Sequence, residues 1–148
     1  MSIKSAIQEA MKEAMKSKDQ LRLECLRMAK GALLLKEKEG AKEQELSDEL
    51  AIVALRAEVK KRQQSIETFE QVGKLDEVER SKQEIAIIES FLPQQLSAED
   101  LEARIRAFLA EHPELNHPGK LTGAVKKELG DLADGKMLNE LCKKVLES

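Results

Sequence analysis

The sequence predicts an all-α protein, and both its composition and its apolar periodicity support that prediction. Only 2% of the 148 residues are aromatic, neither Trp nor Tyr occurs, and 36% are charged. The core must therefore be built from Leu, Ile, Val, Met and Ala, which suit helix-on-helix packing better than a sheet. Apolar residues recur at three- and four-residue spacing through most of the chain, which is the period of an amphipathic helix.

Two helical parts are predicted, an N-terminal domain of four helices at residues 1–93 and a three-helix tail at residues 94–148. The third and fourth helices carry apolar stripes close to a seven-residue repeat, which predicts a long antiparallel pair with coiled-coil-like packing. Arg62 interrupts the first of these stripes. The two stripes are Ile52, Leu55, Val59, Ile66 and Phe69, followed by Leu75, Val78, Ile85, Ile88 and Leu92.

Caps and turn residues place the helix boundaries. Ser2, Asp19 or Ser17, and Ser47 are N-cap candidates in the N-terminal part, and Asp134 is one in the tail. Residues 41–46 are predicted to form a charged loop before the longest helix.

The joint between the two parts is built around Pro93. Proline disfavours helical geometry in the residue before it, so the fourth helix is predicted to end at Leu92. Ser97 opens an S-x-x-D capping signal, and Leu96 and Leu101 are spaced as a hydrophobic staple. We expect Leu92 and Leu96 to be buried between the two parts.

Composition also excludes or disfavours several classes of protein. The formal net charge of −3 argues against nucleic-acid binding by bulk charge alone. No apolar run approaches membrane-spanning length and no signal peptide is visible, so we expect a soluble cytoplasmic protein. Cys25 and Cys142 are expected to be reduced, half-buried thiols.

The search for catalytic chemistry assigns no catalytic, cofactor-binding or metal-ligating residue. Phosphate-binding, dinucleotide, metalloprotease and nucleophile-elbow motifs are all missing from the sequence. His112 and His117 are five residues apart across a proline-containing loop, a spacing with no natural metal geometry. We expect both to be ordinary loop histidines.

Basic residues are the stronger functional signal. They can be ordinary surface charges paired with nearby glutamates, or they can form a patch that follows a phosphate backbone with help from helix N-termini. Because aromatic stacking platforms are scarce, recognition of a folded RNA by shape fits better than single-strand stacking. The candidate RNA-binding residues are Arg56, Lys60, Lys61, Lys120, Lys126, Lys127 and Lys136.

Four runs of the sequence form a specific series along the chain. They are Lys18-Asp19-x-x-Arg22-Leu23-x-x-Leu26-Arg27-Met28, Val59-Lys60-Lys61-Arg62-x-x-Ser65-Ile66, Ile85-x-Ile87-Ile88-x-x-Phe91-Leu92-Pro93-x-Gln95-Leu96 and Ala133-Asp134-Gly135-Lys136-x-x-Asn139-Glu140-Leu141. In this order they resemble the YqeY family along essentially the whole chain.

Residues from about Leu96 onward are also similar to the tail domain of GatB, a subunit of the glutamine-dependent amidotransferase that amidates mischarged Glu-tRNA or Asp-tRNA. That resemblance implies a tRNA-associated, non-catalytic binding module without a cofactor, with carbon–nitrogen ligase activity only by family similarity. The sequence departs from the tail pattern at Asp131, where such tails carry a basic residue. The alternative is a protein–protein adaptor that docks on a translation-linked complex without contacting RNA.

Overall fold

A computed structural model describes residues 1–40 and 46–148, and within these ranges it contains helices, turns and loops but no strand. The all-α prediction is confirmed. Most of the charged loop predicted at residues 41–46 lies outside the described residues. The α-helices of the described ranges are α1 Ile3–Ser17, α2 Gln20–Lys38, α3 Asp48–Gln71, α4 Leu75–Glu89, α5 Ala98–Glu111, α6 Pro118–Leu129 and α7 Gly135–Glu147.

Five of these helices begin at a side-chain cap that the sequence predicted. In each case an oxygen of the capping residue accepts a hydrogen bond from a backbone N–H in the first turn, which satisfies one of the donors left open at a helix start. The capping residues are Ser2 for α1, Asp19 for α2, Ser47 for α3, Ser97 for α5 and Asp134 for α7.

The described chain divides into two compact units, Met1–Leu92 and Pro93–Ser148. In the N-terminal unit, α2 packs against α1, α3 and α4, and α3 also packs against α4. The short turn between α3 and α4 contains Gly73 at a φ of +74°, a left-handed conformation that glycine adopts without steric cost. The largest fully buried side chains of this unit are Ile7, Leu26, Leu33, Leu55 and Ile88.

In the C-terminal unit, α7 packs against both α5 and α6. A 3₁₀ turn, Gly130–Leu132, follows α6 and leads into α7. The chain entering this unit is fastened to that turn, because the Gln95 amide donates to the Asp131 carbonyl at 2.9 Å and the Leu96 N–H donates to the Leu132 carbonyl at 2.8 Å. The buried core of this unit is Leu101, Ile105, Leu121, Val125, Ala133, Leu138, Cys142 and Val145.

Two details of α4 differ from the sequence prediction. The helix ends at Glu89 rather than Leu92. If the helix continued, the ring of Pro93 would clash with the Glu89 carbonyl four residues earlier. The chain after Glu89 instead forms hydrogen bonds of the 3₁₀ type, from the Phe91 N–H to the Ile88 carbonyl and from the Leu92 N–H to the Glu89 carbonyl. Leu75, predicted to be part of the apolar stripe, is exposed because it is the first residue of α4 and directly follows the turn.

Leu92 and Leu96 each contribute to the unit in which they lie. Leu92 packs against the core of the N-terminal unit, and Leu96 packs against the core of the C-terminal unit. Their burial between the two units stays a prediction. Among the helices that the structure describes, none combines the length and the apolar character needed to cross a membrane.

Candidate functional site

The four candidate lysines of the C-terminal unit lie along α6 and at the start of α7. Lys120 is in the first turn of α6, Lys126 and Lys127 are in its last turn, and Lys136 is the second residue of α7. All four side chains are exposed. Lys120 and Lys127 are seven residues apart, so they project from the same face of the helix, about 10 Å apart along its axis.

The first turn of α6 contains no acidic residue. Its cap is His117, whose Nδ1 accepts a hydrogen bond from the Gly119 N–H at 3.1 Å, and Pro118 fills the first helical position. The cap is thus an imidazole and not a carboxylate. Because the positive end of the helix dipole lies here beside Lys120, this end of α6 favours an anion.

The N-terminus of α7 is electrostatically different. Its cap is the Asp134 carboxylate, which accepts a hydrogen bond from the Met137 N–H at 2.9 Å. A carboxylate already placed at the helix start opposes a second anion there. Of the two helix starts in the predicted patch, that of α6 is therefore the better phosphate site, and Lys136 contributes to the patch as a side chain only.

The turn between α6 and α7 restrains one of the candidates. Lys126 Nζ donates to the Ala133 carbonyl at 2.8 Å, so this lysine supports the turn. The half-buried Asp131 lies in the same turn, and its acidic side chain is the departure already evident in the sequence. Lys120 and Lys127 therefore remain as the better-placed pair for phosphate contacts on α6.

In the N-terminal unit, the three candidates on α3 differ in how their charges are presented. Arg56 is half-buried and Lys60 is exposed one turn later, on the same face. Lys61 is 74% exposed, but its Nζ lies 3.1 Å from the Glu58 carboxylate. That carboxylate offsets part of the Lys61 charge, so Lys60 is the more available cation for phosphate.

Sequence reasoning missed a buried charged cluster around Arg62. This side chain is only 7% exposed. Its Nε donates to Glu84 Oε2 at 3.0 Å, and its Nη1 donates to the Glu58 carbonyl at 3.1 Å and to Glu58 Oε1 at 3.4 Å. Arg62 Nη2 also contacts the Met28 sulfur at 3.8 Å. Arginine inside an apolar stripe, with glutamate four residues before it, was the signal that could have revealed the cluster.

The Arg62 cluster connects α3 and α4, the two helices of one helical hairpin. Arg62 and Glu84 are equally far in sequence from Gly73 in the turn, so their ion pair forms at one alignment of the two helices. We expect this buried ion pair to favour one alignment of α3 and α4 more than it adds to net stability. Arg62 is thus part of the fold and is not exposed to a phosphate.

The sequence analysis predicted half-buried thiols, but Cys25 and Cys142 are both buried. Burial raises the pKa of Cys25 to about 11, although the positive charge of Arg62 nearby acts in the opposite direction. Burial likewise raises the pKa of Cys142. Since the thiolate is the reactive form, both groups are unreactive near neutral pH.

The two histidines have local structural roles. The His112 ring stacks at a tilt on Phe108, with a centroid separation of 4.6 Å, and His117 caps α6 as described. Throughout residues 1–40 and 46–148, no three His, Cys, Asp or Glu side chains are grouped as a metal-ligand set.

Comparison with known proteins identifies the family. Residues 4–146 match the family described as Yqey-like protein, which is nearly the whole chain. The chain therefore belongs to the YqeY family. No curated protein matches it.

Proposed function

We propose that this chain is a non-catalytic helical binding module that associates with tRNA, in a process linked to glutamine-dependent amidation of tRNA. Two lines of support lead to this proposal. The first is the resemblance of the residues from about Leu96 onward to the GatB tail domain, which is drawn from the sequence alone. The exposed lysines of α6 also offer contacts suited to a phosphate backbone. Carbon–nitrogen ligase activity by the chain alone is not part of the proposal.

The observation that carries the proposal is the exposed face of α6. Lys120 and Lys127 lie on it, Gly123 leaves the surface between them low, and the helix start beside Lys120 carries an imidazole cap. Lysines on one helix face can bind neighbouring phosphates, and the positive end of the helix dipole beside Lys120 adds to the attraction. Contacts of this kind position an RNA without reading its bases.

Shape recognition fits the remaining chemistry. The three phenylalanines are all half-buried, so stacking on unpaired bases contributes little. A net charge of −3 limits long-range attraction to RNA. We therefore expect affinity in the micromolar range or weaker, typical of backbone contacts without specific readout.

The experiment is a salt titration of tRNA binding with charge-reversal variants. In the double variant Lys120→Glu with Lys127→Glu, we expect weaker binding. The slope of log binding constant against log salt concentration should also be smaller in magnitude by about two, because two phosphate contacts are lost. The matched control is Arg104→Glu with Lys143→Glu, which changes the net charge equally at exposed positions on α5 and α7.

Only a loss specific to α6 supports the proposal. If both double variants weaken binding equally, bulk charge and not the α6 face attracts the RNA. If the α6 variant binds with unchanged affinity and slope, the tail has no RNA role, and the adaptor alternative becomes the better explanation.

A further inference from the structure

An open apolar groove of about 660 Å³ runs between α2 and α3 in the N-terminal unit. Met28 and Leu35 on α2 and Val53 on α3 line it, and each is more than half exposed. Gly31 and Ala57 lie between them and keep the floor of the groove low. Large exposed apolar side chains grouped on one face mark a surface that a partner covers.

An ion pair lies at each end of the groove. The more exposed partner is a cation at one end and an anion at the other. At the end beside Met28, Lys61 is 74% exposed while its partner Glu58 is only 10% exposed. At the other end, Glu39 is 68% exposed while Lys36, at 3.2 Å, is only 30% exposed. The groove therefore presents a positive charge at one end and a negative charge at the other.

We propose that this groove binds a second copy of the chain in a two-fold symmetric dimer. Two copies can meet face to face either with like ends together or with opposite ends together. The first arrangement brings Lys61 against Lys61 and Glu39 against Glu39, which is repulsive at both ends. The second brings Lys61 of each copy against Glu39 of the other, so charge selects the antiparallel arrangement.

The apolar residues of α2 suit the same antiparallel arrangement. Met28 and Leu35 lie on either side of Gly31 and Ala32 along one helix face. A two-fold axis near these two small residues places Met28 of one copy against Leu35 of the other, twice. A Cβ added at Gly31 meets nothing within 4 Å, so two helices can approach closely at this crossing point. The patch is thus self-complementary in shape and in charge, as an isologous interface requires.

The first measurement is the solution mass of the full chain by light scattering over a concentration series. We expect a mass that rises toward twice 16.6 kDa as the concentration reaches the order of 100 µM, the range expected for a modest interface. A wild-type protein that stays monomeric throughout the series would overturn the proposal and leave the groove for a helix of another protein.

Two substitutions test whether the groove is the interface. Gly31→Lys places a long side chain at the crossing point and improves the helix propensity of α2, so the fold is retained while the dimer is lost. The matched control is Gly123→Lys, which introduces the same residue at an exposed helical glycine on α6. Leu35→Glu should also give a monomer, whereas Leu75→Glu, at an exposed leucine outside the groove, should not. A dimer that persists in both groove variants contradicts the proposal.

Charge reversal tests the orientation. Lys61→Glu and Glu39→Lys should each weaken the dimer by about tenfold, because two symmetric contacts change at once. Combining them restores opposite charges across the interface, so the dissociation constant should return to within about threefold of the wild-type value. Within one copy the same combination leaves each new side chain beside a like charge, so restoration cannot come from the folded monomer. Without restoration, the antiparallel arrangement is excluded.

Discussion

At the scale of single residues, the side chain of greatest structural consequence is Arg62. It is buried between two carboxylates, those of Glu58 and Glu84, which are themselves largely enclosed. Charges taken out of water in this way gain little over a well-packed apolar core. Removing Arg62, however, leaves Glu58 and Glu84 with only their more exposed partners, Lys61 and Arg80. The residue is therefore sensitive to substitution even though its ion pairs add little net stability.

The contrast between the small net stability of the ion pairs and the cost of removing Arg62 gives a prediction for Arg62→Met. The variant should lose about 3 kcal/mol of unfolding free energy in a urea titration followed by circular dichroism, because two carboxylates lose their buried partner. Replacing Glu58 and Glu84 by leucine in the same chain should recover most of that loss. The control is Arg80→Met, since Arg80 pairs with Glu24 and Glu84 at the surface and should cost less than about 1 kcal/mol. Equal midpoints for wild type and Arg62→Met would contradict the assigned role.

Cys25 gives a second prediction at this scale. Its raised pKa means that the folded protein holds the thiol proton more tightly than the unfolded chain does. Stability from this group is complete below about pH 9 and decreases as the pH rises toward 11. Alkylation by iodoacetamide at pH 8 should leave the folded protein unlabelled, and it should label both thiols in denaturant.

The control for Cys25 is a Met15→Cys variant, which adds a thiol at an exposed position of α1. That thiol should react at the rate of a free cysteine under native conditions. Rapid native labelling of Cys25 itself would show that the N-terminal core opens far more readily than its packing indicates.

At the scale of elements, the helix starts were predictable and some helix ends were not. Caps are local, since a serine or aspartate bonds to an N–H only a few residues away, so Ser97 and Asp134 could be assigned from the sequence. The end of α4 depends on a steric effect of Pro93 that acts four residues upstream, at Glu89. The sequence prediction considered only the effect of Pro93 on the residue directly before it, Leu92.

Leu96 provides the prediction for the joint. It packs against the C-terminal core, and its N–H fastens the incoming chain to the turn before α7. Leu96→Asp should lower the unfolding free energy by a few kcal/mol, because it places a charge among apolar side chains. Gln94→Asp introduces the same charge at an exposed neighbour and should change stability little. If both variants melt like the wild type, Leu96 does not contribute to the packing.

At the scale of the whole molecule, composition determined the fold class because a core without Trp or Tyr had to be aliphatic. The sequence carried a signal for the Glu58–Arg62 pair within α3, but none for the pairing of Arg62 with Glu84. Glu84 is on another helix, and periodicity describes one helix at a time. The α2–α3 groove could not be predicted from the sequence for a related reason, since the exposure of Met28 and Leu35 depends on which other helices cover α2.

The candidate RNA patch was predictable as a set of residues but not as a ranking of them. The sequence showed four lysines, of which Lys120 and Lys136 are near helix starts and Lys126 and Lys127 are near the end of α6. Their local partners rank them, because Lys126 is bonded to a carbonyl and the α7 start carries Asp134. The resulting emphasis on Lys120 and Lys127 is the central claim about function, and it can be examined directly on the unmodified chain.

The most direct test is lysine footprinting, in which the protein is acetylated with and without excess tRNA and each lysine is quantified by mass spectrometry. The proposal predicts that tRNA protects Lys120 and Lys127 most strongly at low salt, that Lys143 on α7 is modified equally in both samples, and that high salt removes the protection. Equal modification of Lys120 and Lys127 with and without tRNA, under conditions where tRNA is bound, would contradict it.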